Sequence, residues 1–289
     1  MRPLGLLVIA AFALAGQQAA AEPALWKIQT GTSVVYLFGT THLLGPGDRW
    51  WSKEISDSLD MSQDLWIETL PPQESEVAAF FVGHGFSRDT LLSTGLSSSD
   101  KNLLRLAENE KGASPKLIEH LEPWAASVLL QRHRQIGSGP PAGVEPLLET
   151  EAASHGIPVK PLETFDEGMH QLADLPLSAQ MAMLLAELRR SYGREASEPS
   201  SGNADWAKQA WLSGDFEAAG VRILDELRDE SPILYDTLVA KRNARWSIAI
   251  LGMLQDKGVH FVAVGAGHFA GPDSLLVLLK NAGFTVTRQ

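Results

Sequence analysis

Short apolar runs alternate along the chain with longer segments of helical periodicity. Several runs have the length and the β-branched or aromatic content typical of buried strands, and they occupy residues 24–28, 33–38, 64–69, 157–164, 261–264 and 284–287. Segments between them, such as 177–192 and 232–254, repeat apolar residues every three or four positions, which predicts amphipathic helices. The alternation predicts an α/β or α+β fold: a central parallel or mixed sheet packed by helices, with a large helical portion.

Two of the predicted strands end in the same motif, Gly-x-x-His-x-x-Gly-Pro. One copy occupies residues 39–46 and carries His42; the other occupies residues 265–272 and carries His268. An aspartate follows each proline within two residues. Glycine beside each histidine permits a sharp turn and a close approach of a ligand to the backbone. We expect the two strand-turn units, one near each end of the mature chain, to lie side by side.

Two glutamates finish other predicted strands. Glu68 ends the run 64–69, and Glu163 stands near the end of the run 157–164. Open α/β sheets bind ligands outside the carboxyl ends of their strands, so these carboxylates and the two histidines are placed to converge. Glu163 could instead simply precede a helix cap, and Glu68 could be a solvated strand end.

Imidazole and carboxylate groups are suitable ligands for Zn²⁺, Mn²⁺ or Co²⁺, and the pattern predicts a divalent metal held by His42 and His268, with Glu68 as a further ligand or as a general base. Such a metal would polarise a carbonyl group and lower the pKa of a bound water. Arg242 could bind an anion or stabilise a transition state, although a surface salt bridge would explain it equally simply.

The first 21 residues have the layout of a secretory signal peptide. A basic residue near the start precedes an apolar core at 4–15, and small residues stand at Ala19 and Ala21. The apolar core is too short for a comfortable membrane span, so cleavage after Ala21 is preferred to retention as an anchor. We expect a periplasmic or secreted bacterial protein whose residues 22–289 form a single domain without a stable membrane span.

Composition narrows the possible chemistry further. The chain has no cysteine, so disulfides are excluded and any metal site must be built from His, Asp and Glu. It carries 24 Lys and Arg against 35 Asp and Glu, a formal net charge of −11. This balance argues against nucleic acid or an anionic lipid surface as a partner, because their phosphates would be repelled.

The motifs together resemble those of the TraB/GumN family, which is related to Tiki metalloproteases and, more distantly, to erythromycin-esterase-like hydrolases. The resemblance rests on YLFGTTH at 36–42, LWIE at 65–68, GVE at 143–145, PLET at 161–164, KRN at 241–243 and VAVGAGH at 262–268. It implies an exported metal-dependent hydrolase of peptidase type acting on a peptide or another small extracytoplasmic substrate. His42, Glu68 and His268 would then be catalytic or metal-binding residues, supported by Glu163 and Arg242.

Other functions remain open at this point. A histidine could activate water directly, without a metal, while the second histidine and Arg242 stabilise an oxyanion. The cleft could also bind and sequester a peptide or saccharide without cleaving it. The helical segment 73–134 could be a lid over the crevice or only a packing layer.

Overall fold

The computed structural model describes residues 22–42, 44–45, 47–109, 115–137, 143–193 and 201–289. The predicted signal peptide, residues 1–21, lies outside the described part of the chain. The strands are β1 (Leu25–Gln29), β2 (Ser33–Thr40), β3 (Asp64–Ile67), β4 (Val159–Pro161), β5 (Gly258–Gly265) and β6 (Val286–Arg288).

Helices connect and cover these strands. They are α1 (Lys53–Asp60), α2 (Glu74–His84), α3 (Ser98–Glu108), α4 (Pro115–Ile118), α5 (Pro123–Gly137), α6 (Val144–Ser154), α7 (Phe165–Ala173), α8 (Leu177–Tyr192), α9 (Ser201–Leu212), α10 (Phe216–Glu230), α11 (Pro232–Tyr235), α12 (Lys241–Gln255) and α13 (Leu275–Asn281). The predicted α/β fold with a large helical portion is confirmed.

The sheet is mixed and has the strand order β4-β3-β5-β2-β1-β6. Strands β4, β3, β5 and β2 are parallel, whereas β1 is antiparallel to both β2 and β6. The two strands that carry the histidine motif, β2 and β5, are direct neighbours, as their matching sequences predicted. The run 157–164 forms only a three-residue strand, because its prolines cannot donate to a ladder.

Strand β5 is buried on both faces of the sheet. Phe261 and Ala263 belong to an apolar cluster that also contains Phe38 of β2, whereas Val262 and Val264 face a second cluster formed with α12 and α13. All four β5 residues are inaccessible to solvent. Burial on both faces explains why this strand is a continuous apolar run without alternation.

Helices α2, α3, α5 and α8 pack around a separate apolar cluster that includes Trp124 and Leu184. Helix α7 contributes Phe165 and Met169 to the edge of this cluster, so it links the helical layer to the end of β4. None of the helices in the described ranges combines the length and apolar character needed to cross a membrane.

A π-helical segment, Asp236–Ala240, joins α11 directly to α12. Residues 232–255 therefore form one continuous helix with a widened turn in its first half. Such turns are rare and occur frequently at functional sites. This one immediately precedes Arg242, and the helix beyond it lies against the face of the sheet formed by Val262 and Val264.

Candidate functional site

The carboxyl ends of the parallel strands bring Glu68, Glu163 and His268 to one edge of the sheet. In the β3–β5 pairing Ile67 is the partner of Ala263, so Glu68 follows beside the end of β5 and its Oε1 accepts a hydrogen bond from the Gly265 N–H at 2.7 Å. A side chain at position 265 would bring its Cβ within 3.1 Å of that carboxylate oxygen. Glycine is therefore needed here for close approach, as the motif predicted.

Glu163 is the anchor of a buried ionic network. Its side chain is 3% exposed and accepts hydrogen bonds from Arg242 at 2.7 and 3.1 Å, Arg245 at 3.1 Å and Gln171 at 3.0 Å. These donors occupy both carboxylate oxygens, so the charge is paired and hydrogen-bonded as a buried charge must be. Glu163 thus positions the guanidinium groups. The following Thr164 forms the predicted capping box with Glu167 at the start of α7.

Arg242 connects this anchor to the other site residues. Its Nη2 donates to Glu68 Oε2 at 2.7 Å, its Nη1 lies 3.4 Å from His268 Nε2, and its guanidinium group stacks 4.4 Å from the centre of the Trp246 ring. Burial alone would lower the pKa of Arg242, but Glu68 and Glu163 outweigh it and raise that pKa above its ordinary value. Arg242 is therefore a permanent positive charge in the middle of the network.

The Glu68 carboxylate is stabilised in its charged form. Burial would raise its pKa, but His268, Arg242 and the hydrogen bond from the Gly265 N–H together hold that pKa below the ordinary value. Its Oε1 lies 3.8 Å from His268 Nε2. A carboxylate and an imidazole nitrogen thus face the same small space at the strand ends.

His268 is carried by a 3₁₀ turn, Ala266–Phe269, that follows β5 directly. Its Nδ1 lies 2.7 Å from Asn243 Oδ1, and its ring packs 4.6 Å from the Trp246 ring, centre to centre. Burial and the charge of Arg242 lower the pKa of His268 to about 4, although Glu68 acts in the opposite direction. The imidazole is therefore neutral at neutral pH.

His42 lies with a different carboxylate. Its Nδ1 is 3.6 Å from Glu145 Oε2, and Glu145 Oε1 accepts a hydrogen bond from Thr40 Oγ1. Glu145 Oε2 is buried and accepts no hydrogen bond from the described residues. The His42 side chain is 75% exposed. A Cβ at position 143 would come within 3.1 Å of His42 Nδ1, so Gly143 allows the start of α6 to reach this turn.

The predicted site residues thus form two groups at neighbouring strand ends. Glu68, Glu163, Arg242 and His268 form one connected network, whereas His42 pairs with Glu145. Thr40, which donates to Glu145, and Gly265, which donates to Glu68, are the last partners of the β2–β5 ladder, and they connect the two groups. Within the described ranges, no group of three or more His, Asp or Glu side chains is close enough together to hold a metal ion.

The donors suit a divalent metal in kind. His268 presents Nε2 beside a carboxylate while its other nitrogen is held by an amide oxygen, which is the arrangement common for metal-binding histidines. The buried Glu145 Oε2, without a hydrogen-bond donor, is a second oxygen of the right type next to His42. The separation of 3.8 Å between Glu68 Oε1 and His268 Nε2 would have to shorten modestly for both to bind one ion.

Sequence reasoning missed Asn243, Arg245 and Gln171 as parts of the site. The sequence pattern could have indicated Asn243, because it begins the buried stripe of α12 that continues with Trp246 and Ile250. A polar residue in such a stripe needs a hydrogen-bond partner. Arg245 and Gln171 are solvent-facing by pattern and gave no such signal. Their role depends on where α7 and α12 meet.

A cavity of about 490 Å³ adjoins the network. Gln171 and Arg245, which both bind Glu163, form part of its wall, and His170 of α7 and Lys241 of α12 also line it. The cavity is open to solvent, and charged and apolar side chains both line it. Its wall includes two partners of Glu163 but not Glu68, Arg242 or His268.

Comparisons with known proteins identify the family to which the chain belongs. The chain is similar to a protein of Treponema pallidum (strain Nichols) described as uncharacterized, with 23% identity over 276 residues, which cover 90% of this chain and 81% of the relative. A model of the TraB/PrgY/gumN family matches residues 24–288, which include every strand and every predicted site residue. The chain therefore belongs to the TraB/PrgY/gumN family.

Proposed function

We propose that this protein is an exported, metal-dependent hydrolase of peptidase type, with His268, Glu68 and His42 as ligands of a divalent Mn, Co or Zn ion. The observation that carries the proposal is the pair formed by a neutral, buried imidazole and a charged carboxylate, 3.8 Å apart at the ends of adjacent parallel strands. Perturbed ionisable groups that converge in this way are typical of catalytic sites. Family membership agrees with the proposal but does not specify a reaction.

The residues of this chain would have separate roles in the reaction. Glu68 and His268 offer an oxygen and a nitrogen donor whose orientations are fixed by the Gly265 N–H and by Asn243. Arg242, held by Glu163, places a permanent positive charge where an oxyanion would develop during hydrolysis. A metal bound here would supply Lewis acidity and a water molecule of lowered pKa.

His42 would complete the site from the neighbouring strand end. It is exposed, so substrate or solvent can reach it, and the buried carboxylate of Glu145 lies on the side of its Nδ1. Glu145 could therefore orient His42 in the way that carboxylates commonly orient metal-binding histidines. The cavity between α7 and α12 offers space for the part of a substrate that extends beyond the reacting bond.

Metal content provides the first test. Protein expressed with its leader and purified from the periplasm should contain about one Mn, Co or Zn ion per chain by elemental analysis, as a single catalytic site requires. The double variant His42→Ala, His268→Ala should lose it. The control double variant His84→Ala, His120→Ala, which replaces two exposed histidines outside the network, should retain it. Unchanged metal content in the first double variant would refute the proposed ligands.

A metal-independent hydrolase is the second candidate, and one contact favours it. Arg242 Nη1 lies 3.4 Å from His268 Nε2, so a fixed cation already stands beside the nitrogen that a metal would bind. In that case His268 would accept a proton from water directly, with Arg242 stabilising the oxyanion. Hydrolysis of a peptide library that continues after exhaustive chelation would select this candidate, and hydrolysis that stops and returns with added metal would exclude it.

A further inference from the structure

Asn243 is completely buried in the first turn of α12, and its amide orientation is determined by its surroundings. Its Nδ2 donates to the Asp273 carbonyl oxygen at 2.8 Å and to the His268 carbonyl oxygen at 3.3 Å. Carbonyl oxygens only accept hydrogen bonds, so the NH₂ group of the amide must face them. The amide oxygen is thereby turned toward His268 Nδ1, 2.7 Å away.

This contact determines where the imidazole proton lies. An amide oxygen can only accept, so a hydrogen bond at 2.7 Å requires Nδ1 of His268 to carry the proton. We infer that Asn243 is a positioning residue that fixes His268 as the Nδ1–H tautomer and leaves Nε2 unprotonated, as binding a metal or accepting a proton requires. Its catalytic consequence rests on the proposed function, whereas the tautomer itself does not.

The opposite side of the ring supports the same assignment independently. Nη1 of Arg242 lies 3.4 Å from Nε2, and a guanidinium group has donors only. If Nε2 carried a proton, two hydrogen-bond donors would therefore face each other. The low pKa of His268, caused mainly by burial, agrees with a single proton on the ring at neutral pH.

Without Asn243 a different tautomer would be favoured. Glu68 Oε1 lies 3.8 Å from Nε2, and a small shift would let Nε2–H donate to this carboxylate. The nitrogen needed for chemistry would then be blocked by its own proton. Asn243 prevents this because its oxygen offers a shorter bond to the other nitrogen.

The partner of Asn243 is itself held in place. Tyr235 Oη donates to Asp273 Oδ2 at 2.7 Å, which fixes the residue whose carbonyl group orients the amide. Burial, together with the bond to Asp273, raises the pKa of Tyr235 to about 12, so the hydroxyl group remains a donor at any working pH. The chain from Tyr235 through Asp273 and Asn243 to His268 therefore consists of bonds with defined donors.

Nuclear magnetic resonance of ¹⁵N-histidine-labelled protein tests the inference. Metal-free wild-type protein in EDTA at pH 7.5 should show the His268 ring as a single Nδ1–H tautomer, with the signals assigned by their loss in His268→Gln. In Asn243→Leu, which removes the amide at similar volume, the Nε2–H form should appear, and affinity for added Zn²⁺ should fall about 10- to 100-fold.

The control variant is Gln180→Leu, which removes another buried amide that bonds two backbone carbonyls, in α8 and away from the network. It should leave the His268 signals unchanged even if it lowers stability. A wild-type ring protonated at Nε2, or an Asn243→Leu spectrum identical to that of wild type, would overturn the inference. If Asn243→Leu does not fold, the wild-type spectrum decides alone. Lack of hydrolysis or of Zn²⁺ binding in a wild type with the expected tautomer would contradict the proposed function only.

Discussion

Acidification should destabilise the protein through His268. The ordinary pKa of the imidazole is 6.5, which applies to the unfolded chain, and burial lowers the pKa to about 4 in the folded protein. Between these values the unfolded state binds more protons than the folded state. The stabilising effect of a neutral His268 is therefore fully present above pH 6.5, and it is lost progressively as the pH falls toward 4.

The size of this effect follows from the two pKa values. A shift of one pKa unit corresponds to about 1.4 kcal/mol, and integration from pH 7.5 to pH 4.5 gives a loss of about 2–3 kcal/mol in the free energy of unfolding. The lower limit of pH 4.5 is chosen because of Glu68. Its folded pKa lies below the ordinary value, so its stabilising contribution is lost mainly at still lower pH.

Urea unfolding at pH 7.5, 6.5, 5.5 and 4.5, with EDTA present to exclude metal binding, measures the effect. Wild type should lose about 2–3 kcal/mol more over this range than His268→Gln, which has no titrating ring. The exposed His120 provides the control, and His120→Gln should follow wild type. Equal losses in wild type and His268→Gln would refute the assignment of a buried neutral imidazole.

Two other substitutions test the packing around the site. Arg242→Met should lower the free energy of unfolding by about 3–5 kcal/mol in the same urea assay, because it leaves two buried or partly buried glutamates without their main partner. The control Arg190→Met, on the exposed side of α8, should lower it by less than about 1 kcal/mol. Trp211→Phe should lower the free energy of unfolding by about 1–3 kcal/mol, because the buried Gly39 carbonyl loses its donor at 2.7 Å. The control Trp206→Phe, on the exposed side of the same helix, should change the free energy of unfolding little. An exposed-site variant as costly as its buried counterpart would contradict either argument.

The central part of the fold was predictable because its pattern is local. Strand β5 contains four consecutive apolar residues, 261–264, that are completely buried, and such a run is typical of a strand covered on both faces. The repeated motif after β2 and β5 also predicted that these strands are neighbours, and their parallel pairing confirms it. The carboxylate Glu68 at the end of β3 followed from the same rule about strand ends.

The second layer of the site was less accessible to sequence reasoning. Arg245 and Gln171 converge on Glu163 only because α7 and α12 meet beside the end of β4. The orientation of α12 depends in turn on the π-helical segment before Arg242, which shifts the helical register by one residue. No local periodicity indicates such a segment. Contacts between distant helices therefore had to come from the structure.

The duplicated motif repeats a strand end, but the turn and the side-chain environment that follow it differ. After β5 the turn passes beneath α12, so His268 is enclosed by Asn243 and Trp246. After β2 the described part of the turn meets the start of α6 and, through Asp48, Lys208 of α9, and His42 keeps most of its surface exposed beside Glu145.

The aspartates that follow the two copies diverge in the same way. Asp48 accepts the Gly45 N–H at 2.6 Å and pairs with Lys208, whereas Asp273 accepts the Tyr235 hydroxyl. Asp48 braces the turn that precedes it, whereas Asp273 is linked to the network because its carbonyl oxygen accepts a hydrogen bond from Asn243, which holds His268. The strand and the glycine turn thus set where each histidine stands, while the covering helix sets its burial, its protonation and its access to solvent. A repeat in sequence can therefore supply one enclosed and one accessible imidazole at the same edge of a sheet.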